Sequence, residues 1–151
     1  MNSRVLRGLF ALLLLPIPAL ASLGGDVTTV QADQAKMQGS LRTTSNDAYT
    51  LHEIQTSTGV AVKEYVSTSG KVFAVTWQGH FHPDLRQLLG AYFEAFTEAE
   101  QAQRAQRRGH GPVQIQQAGL VVQVAGHMRA FVGKAYVPQM LPAGVRAEDI
   151  R

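Results

Sequence analysis

The chain has 151 residues, a formal net charge of +3 and no cysteine. The absence of cysteine excludes disulfide bonds, thiolate zinc sites, an attached c-type haem, a lipid-modified N-terminal cysteine and thiol catalysis. The length is enough for one domain that buries its own core.

The N-terminal segment has the pattern of an export signal. Arg4 and Arg7 make its start positive, residues 9–15 form an apolar run, and Ala19-Leu20-Ala21 is a small-x-small site. We predict a signal peptide over residues 1–21, cleaved between Ala21 and Ser22. The apolar run is shorter than the about 20 residues of a membrane-spanning helix, so we expect no membrane anchor after cleavage.

Removal of Arg4 and Arg7 with this segment lowers the formal charge from +3 to +1. The high isoelectric point is therefore weak evidence for a nucleic-acid partner, and we predict none. The expected location is periplasmic or secreted.

Residues 22–48 are polar, with few large apolar side chains, and are predicted to form a flexible arm. Residues 49–151 are predicted to form a single domain. Short runs of β-branched and aromatic residues predict six strands, at 49–56, 60–66, 72–77, 113–117, 120–125 and 128–136. In the third strand, alternation puts Phe73, Val75 and Trp77 on one face.

One long helix is predicted between the two groups of strands. Asp84 is a suitable N-cap, and Gly109 can end the helix. Its apolar positions recur at three- and four-residue steps: Leu85, Leu88, Leu89, Tyr92, Phe93 and Phe96. The order of elements predicts an α+β fold, an antiparallel sheet of about six strands with the helix packed across one face.

His80 and His82 form the most suggestive local cluster. Two histidines that are two apart in an extended segment point the same way, and imidazole binds copper, zinc or nickel. A third ligand would come from His52, His110 or His127. The alternative is a polar loop between a strand and a helix.

Two further groups have both a functional and a structural interpretation. Trp77, Tyr92 and Phe93 could line a ligand cleft between helix and sheet, or simply form core. Glu53 and Glu64 could face each other as paired carboxylates, or lie on the solvent face of a hairpin. No known catalytic motif is present, so we assign no catalytic residue and no cofactor.

The basic residues near the end of the helix are Arg104, Arg107, Arg108 and His110. They could contact anionic lipid or nucleic acid. Acidic residues at Glu94, Glu98 and Glu100 favour the alternative, a solvated helix end whose positive charge complements the helix dipole.

Several stretches resemble one family over essentially the whole chain that follows the signal. They are residues 23–25, 72–79, 83–93, 119–123, 126–131, 141–145 and 149–150. The block from Trp77 to Phe93 is the most specific. The chain resembles a small exported proteobacterial family known as domain of unknown function 2844. The resemblance implies a periplasmic or secreted protein of a Gram-negative bacterium, and it implies no activity.

The sequence therefore predicts a non-enzymatic binding or accessory module, whose partner is a periplasmic protein or a small ligand. A divergent hydrolase that uses Glu53, Glu64 or a histidine is one alternative. A metal-binding protein that uses His80 and His82 is the other.

Overall fold

The computed structural model describes residues 23–106, 111–117 and 119–151, apart from the side chain of His127. The predicted signal peptide and its cleavage site at Ala21 and Ser22 lie outside the described residues. Seven antiparallel strands form one sheet in the order β1-β2-β3-β4-β7-β6-β5. The strands are β1 Ser40–Ser45, β2 Tyr49–Gln55, β3 Ala61–Ser67, β4 Val72–Gly79, β5 Val113–Gln117, β6 Leu120–His127 and β7 Ala130–Tyr136. The α+β prediction is confirmed, with seven strands rather than about six.

The extra strand comes from the segment predicted to be an arm. Residues 22–48 contain helix α1, Thr28–Met37, and strand β1, which pairs with β2 along its whole length. Leu23 and Val30 are each 1% exposed and join the main core. Although the segment is mostly polar, these apolar side chains and the pairing of β1 with β2 attach it to the rest of the domain. The domain thus begins well before Tyr49.

The predicted long helix is interrupted. Helix α2, Leu85–Leu89, is followed by a 3-10 turn at Gly90–Tyr92 and by α3, Phe93–Gln106. Asp84 caps α2 as predicted, since its Oδ1 accepts a hydrogen bond from the Gln87 amide at 3.1 Å. Gly90 has a φ of +49°, a conformation that glycine tolerates and that breaks the regular helix.

The helices cover one side of the sheet, called here the helix face, which carries Ile54, Val62, Glu64, Val75 and Trp77. Leu88, Leu89 and Phe96 pack onto this face in one continuous core. The indole of Trp77 lies against Gly133, where a Cβ atom would come within 2.2 Å of the ring. A glycine is therefore needed at this position on β7.

A β-bulge in β4 changes which residues share a face. Tyr65 and Val66 are adjacent on β3 but pair with Ala74 and Val72, so Phe73 is an extra residue. Its ring packs on the opposite side of the sheet from the helices, 6.0 Å from those of Tyr49 and Tyr65. The prediction that Phe73 faces the same way as Val75 is therefore wrong.

The side opposite the helices, called the tail face, is partly covered by the C-terminal tail, residues 137–151. Leu141, Val145 and Ile150 pack on the aromatic cluster of this face. The Tyr65 hydroxyl donates a hydrogen bond to the main-chain oxygen of Arg151 at 2.6 Å. The tail covers the part of this face around Tyr65, whereas Val132 on the same face stays 50% exposed.

Candidate functional site

One row of the tail face crosses all seven strands and is polar from edge to edge. Across the sheet, from β1 at one edge to β5 at the other edge, the row consists of Arg42, Glu53, Lys63, Thr76, Lys134, Gln123 and Gln114. Neighbouring strands lie about 4.8 Å apart, so the backbones of Lys63 and Lys134 are separated by about 10 Å, with Thr76 between them.

Much of this row lines a groove of about 530 Å³. The adjacent row contributes Ala61, Val132 and Ala125, and the tail contributes Ile150 and Arg151. Val132 remains 50% exposed on this surface. The volume lies within the range of small-molecule sites, about 300–1,000 Å³. The groove on the tail face is thus large enough for a small ligand.

Two lysines, Lys63 and Lys134, line the groove, and no Asp or Glu side chain lines it within the described residues. The Lys134 ammonium donates to the Ala147 carbonyl at 2.9 Å, and the Lys63 ammonium donates to the main-chain oxygen of Arg151 at 3.2 Å. Within the described residues, neither ammonium has an Asp or Glu oxygen within 4.0 Å. An ammonium has three donors, so each retains donors for a ligand.

A second polar cluster lies on the helix face and joins three elements. Asp33 of α1 and Glu64 of β3 are each 1% exposed, and Gln87 of α2 is 2% exposed. The side-chain amide of Gln87 donates a hydrogen bond through Nε2 to Asp33 Oδ1. The carboxyl groups of Asp33 and Glu64 are close enough to shift each other's pKa, and a hydrogen bond between them requires a proton on one of the two.

Burial controls the protonation of this pair. Burial, and then the negative charge of Asp33, raises the pKa of Glu64 to about 9. Burial also raises the pKa of Asp33 to about 6, against the opposing effect of its hydrogen bond from Gln87. At neutral pH Glu64 therefore keeps its proton and Asp33 carries the negative charge. Asp33 Oδ2 and Glu64 Oε2 are buried, and no donor among the described residues bonds to either oxygen.

The register of β2 and β3 corrects the predicted pairing of Glu53 with Glu64. Glu64 is opposite His52, whereas Glu53 is opposite Lys63 on the other face. The carboxyl group next to Glu64 is that of Asp33, a contact that was not predicted from the sequence. His52 Nδ1 lies 3.1 Å from the Thr43 hydroxyl, and burial lowers the pKa of this histidine.

The two histidines predicted to bind metal are both exposed. The ring centroid of His82 lies 4.0 Å from that of Phe131, and Phe131 lines a surface depression together with His80 and Gly59. Among the side chains that the structure describes, no three His, Asp or Glu residues are placed to hold a metal ion. His110 lies outside the described residues, as does the side chain of His127. Metal binding by His80 and His82 stays a prediction.

The three aromatic residues of the predicted cleft belong to one core on the helix face. The Trp77 side chain is 1% exposed there, on the opposite side of the sheet from the groove. Tyr92 and Phe93 pack against the core from the helix side, where the Arg86 guanidinium lies 4.4 Å from the centre of the Phe93 ring. A ligand role for these three residues stays a prediction.

The predicted basic cluster is described only in part. Arg104 forms an ion pair with Glu100 at 2.8 Å, as expected for residues four apart on a helix. Arg107 and Arg108 lie outside the described residues.

The lysines of the groove were not predicted from the sequence either. The sequence does contain one indication of the Glu64 cluster and one of the lysine row. Val62, Glu64 and Val66 share one face of β3, so the pattern places an acid among buried valines. Lys63 and Lys134 stand in apolar strands, but only the strand order brings them into one row.

In the described part of the chain, no helix has both the length and the apolar character needed to cross a membrane. Neither a curated protein nor a solved structure matches the chain. A family model described as "protein of unknown function (DUF2844)" matches residues 19–150, nearly the whole chain, and the protein therefore belongs to this family.

Proposed function

We propose that this protein is an exported, non-enzymatic binding module that holds a small ligand in the groove of its tail face. The observation that carries the proposal is the groove itself: a volume of about 530 Å³ lined by apolar side chains and lysine ammonium groups. Apolar surface with a few placed polar groups is the usual composition of a small-molecule site.

The fold supports this use of the surface. The groove lies on the central strands of a sheet whose other side is packed under helices. Its side chains are therefore held by a rigid scaffold, which limits the ordering that binding requires. Lysine, glutamine and threonine side chains supply hydrogen-bond donors and positive charge there, and these groups suit the holding of a ligand.

The location in the proposal rests on the N-terminal sequence, with its positive start, apolar run and Ala19-Leu20-Ala21 site. N-terminal sequencing of protein recovered from the periplasm or the medium tests it. We expect a new N-terminus at Ser22. Recovery of only uncleaved protein in the cytoplasm contradicts the export part of the proposal.

Ligand-observed NMR with a library of small molecules tests the binding part. In Ala125→Trp, a large side chain fills the groove, and we expect bound compounds to be released. Met128→Trp is the matched control, because Met128 is 93% exposed at a hairpin tip and does not line the groove. Equal binding to the wild type and to both variants contradicts the proposed site.

A further inference from the structure

The charges and apolar surface of the groove also define a chemical class of ligand. We infer that the groove binds an anionic amphiphile, an apolar body with one acidic head group, either a carboxylate or a phosphate ester. Lys134 and Lys63 hold the head group. This inference rests on the proposed function, because it assigns the ligand of the same groove.

The acidic head group follows from the charge of the lining. Lys63 and Lys134 are positive, and no Asp or Glu side chain is among the described residues that line the groove. Lys134 uses one donor on the Ala147 carbonyl, which fixes the direction of its side chain and leaves further donors for a ligand. A charge-assisted hydrogen bond from an ammonium to an anion is stronger than one between neutral groups.

The single head group follows from the spacing of the lysines. Lys63 and Lys134 are two strands apart in one row, and both side chains are long enough to converge over Thr76. Glu53 stands next to Lys63 at the β2 side of the row. Its negative charge repels an anion there, so the favourable position lies between Lys63 and Lys134.

The apolar body follows from the neighbouring row. Ala61, Val132 and Ala125 lie side by side with Gln78 on the part of the face that the tail does not cover. Val132 is half exposed, so a ligand that covers it removes apolar surface from water. A head group at the lysine row thus places an attached chain over this apolar row, directed away from the tail.

Isothermal titration of the protein with four ten-carbon probes, all below their micellar concentrations, tests the inference. The probes are decanoate, decyl phosphate, decan-1-ol and decyltrimethylammonium. We expect decanoate and decyl phosphate to bind roughly tenfold or more tightly than decan-1-ol, on the scale of one charge-assisted hydrogen bond. The cationic probe should bind most weakly.

Two lysine variants identify the anchors. Lys134→Gln should weaken both anionic probes roughly tenfold, and Lys63→Gln should weaken them by less, because the Glu53 carboxylate opposite Lys63 already repels an anion there. Neither change should alter the binding of decan-1-ol. Glu53→Gln should strengthen the anionic probes slightly, since it removes a repelling charge beside Lys63.

The outcomes separate the two proposals. If all four probes bind equally and Ala125→Trp abolishes the binding, the groove is a ligand site, but the assignment of an anionic head group is wrong. If the anionic probes bind Lys134→Gln and the wild type equally, the lysine anchor is wrong. If Ala125→Trp leaves the binding of every probe unchanged, the site itself is wrong, and the proposed function fails with it.

Discussion

Lys63 and Glu64 are neighbours on β3, but they lie on opposite faces of the sheet in opposite electrostatic environments. Glu64 is 1% exposed beneath α1, where it retains a proton against Asp33. Lys63 lines the groove of the tail face beside Thr76 and Lys134. The comparison separates two uses of polar residues: on the helix face they join elements of the core, and on the tail face they remain available to a ligand.

The largest expected effect is on the helix face. Trp77→Ala should lower the free energy of unfolding by about 3–5 kcal/mol, because it removes a fully buried aromatic side chain and leaves a cavity. Urea unfolding followed by circular dichroism measures the loss. Met128→Ala, at a position that is 93% exposed, serves as the control and should change little. Loss below about 1 kcal/mol for Trp77→Ala would contradict the packing of the indole against Gly133.

The raised pKa values of Asp33 and Glu64 predict that the free energy of unfolding depends on pH. The Glu64 carboxyl has a pKa of about 9 in the folded protein, against an ordinary value of 4.5. Between these pH values the folded protein binds one more proton than the unfolded chain. The free energy of unfolding therefore falls as the pH rises, by up to about 1.4 kcal/mol per pH unit. Asp33 adds a slope of the same sign between 3.8 and about 6.

Glu64→Gln isolates this contribution, because glutamine keeps the shape of the side chain and does not titrate. Urea unfolding of both proteins between about pH 5 and pH 8 should show a flatter stability curve for the variant. His52 has a lowered pKa and an effect of opposite sign, but it is present in both proteins and cancels in the difference. Parallel curves for the two proteins would rule out a proton held by Glu64.

The side-chain amide of Gln87 connects α2 to the buried pair of Asp33 and Glu64. Gln87→Ala removes the donor to Asp33 and leaves a buried carboxylate oxygen without its partner. We expect a loss of about 1–3 kcal/mol in the free energy of unfolding, measured in urea at neutral pH. Asp33→Asn is the matched variant, since an asparagine side chain can still accept the hydrogen bond from Gln87. If Gln87→Ala costs nothing, the cluster does not hold α2 to α1.

On the tail face, the Tyr65 hydroxyl binds both the main-chain oxygen and the amide of Arg151. Tyr65→Phe should therefore cost about 0.5–1.5 kcal/mol of stability and loosen the end of the tail. Hydrogen exchange of the amides in residues 147–151 would detect the loosening. Tyr136→Phe is a suitable control, since Tyr136 packs on the same cluster. Equal exchange in both variants would show that the hydroxyl of Tyr65 does not hold the tail.

The elements of the central fold could be predicted because each has a local signal. Alternating apolar residues marked six of the seven strands, and Asp84 marked the start of α2. Strand β1 had no such signal, because it is an edge strand whose six residues include only one large apolar side chain, Leu41. Its position depends on pairing with β2, a contact that composition alone does not reveal.

The faces of the sheet were harder to predict than its strands. The bulge at Phe73 shifts the alternation of β4 by one residue, and the bulge arises from the pairing of β3 with β4. The Asp33–Glu64 contact joins residues far apart in the sequence through the position of α1. The row that contains Lys63 and Lys134 exists because β7 pairs with β4, so it follows from topology rather than from a local motif.

The smallest expected effect is also the sharpest test of the contrast between the two faces. Lys63→Gln and Lys134→Gln should each change the free energy of unfolding by less than about 0.5 kcal/mol, as is usual for half-exposed polar side chains with no buried partner to lose. Urea unfolding at neutral pH, beside Glu64→Gln, gives the measurement. A loss above about 1 kcal/mol from Lys134→Gln would mean that its bond to the Ala147 carbonyl clamps the tail. Lys134 would then have a structural role, as Glu64 does, and its positive charge would no longer be evidence for a bound ligand.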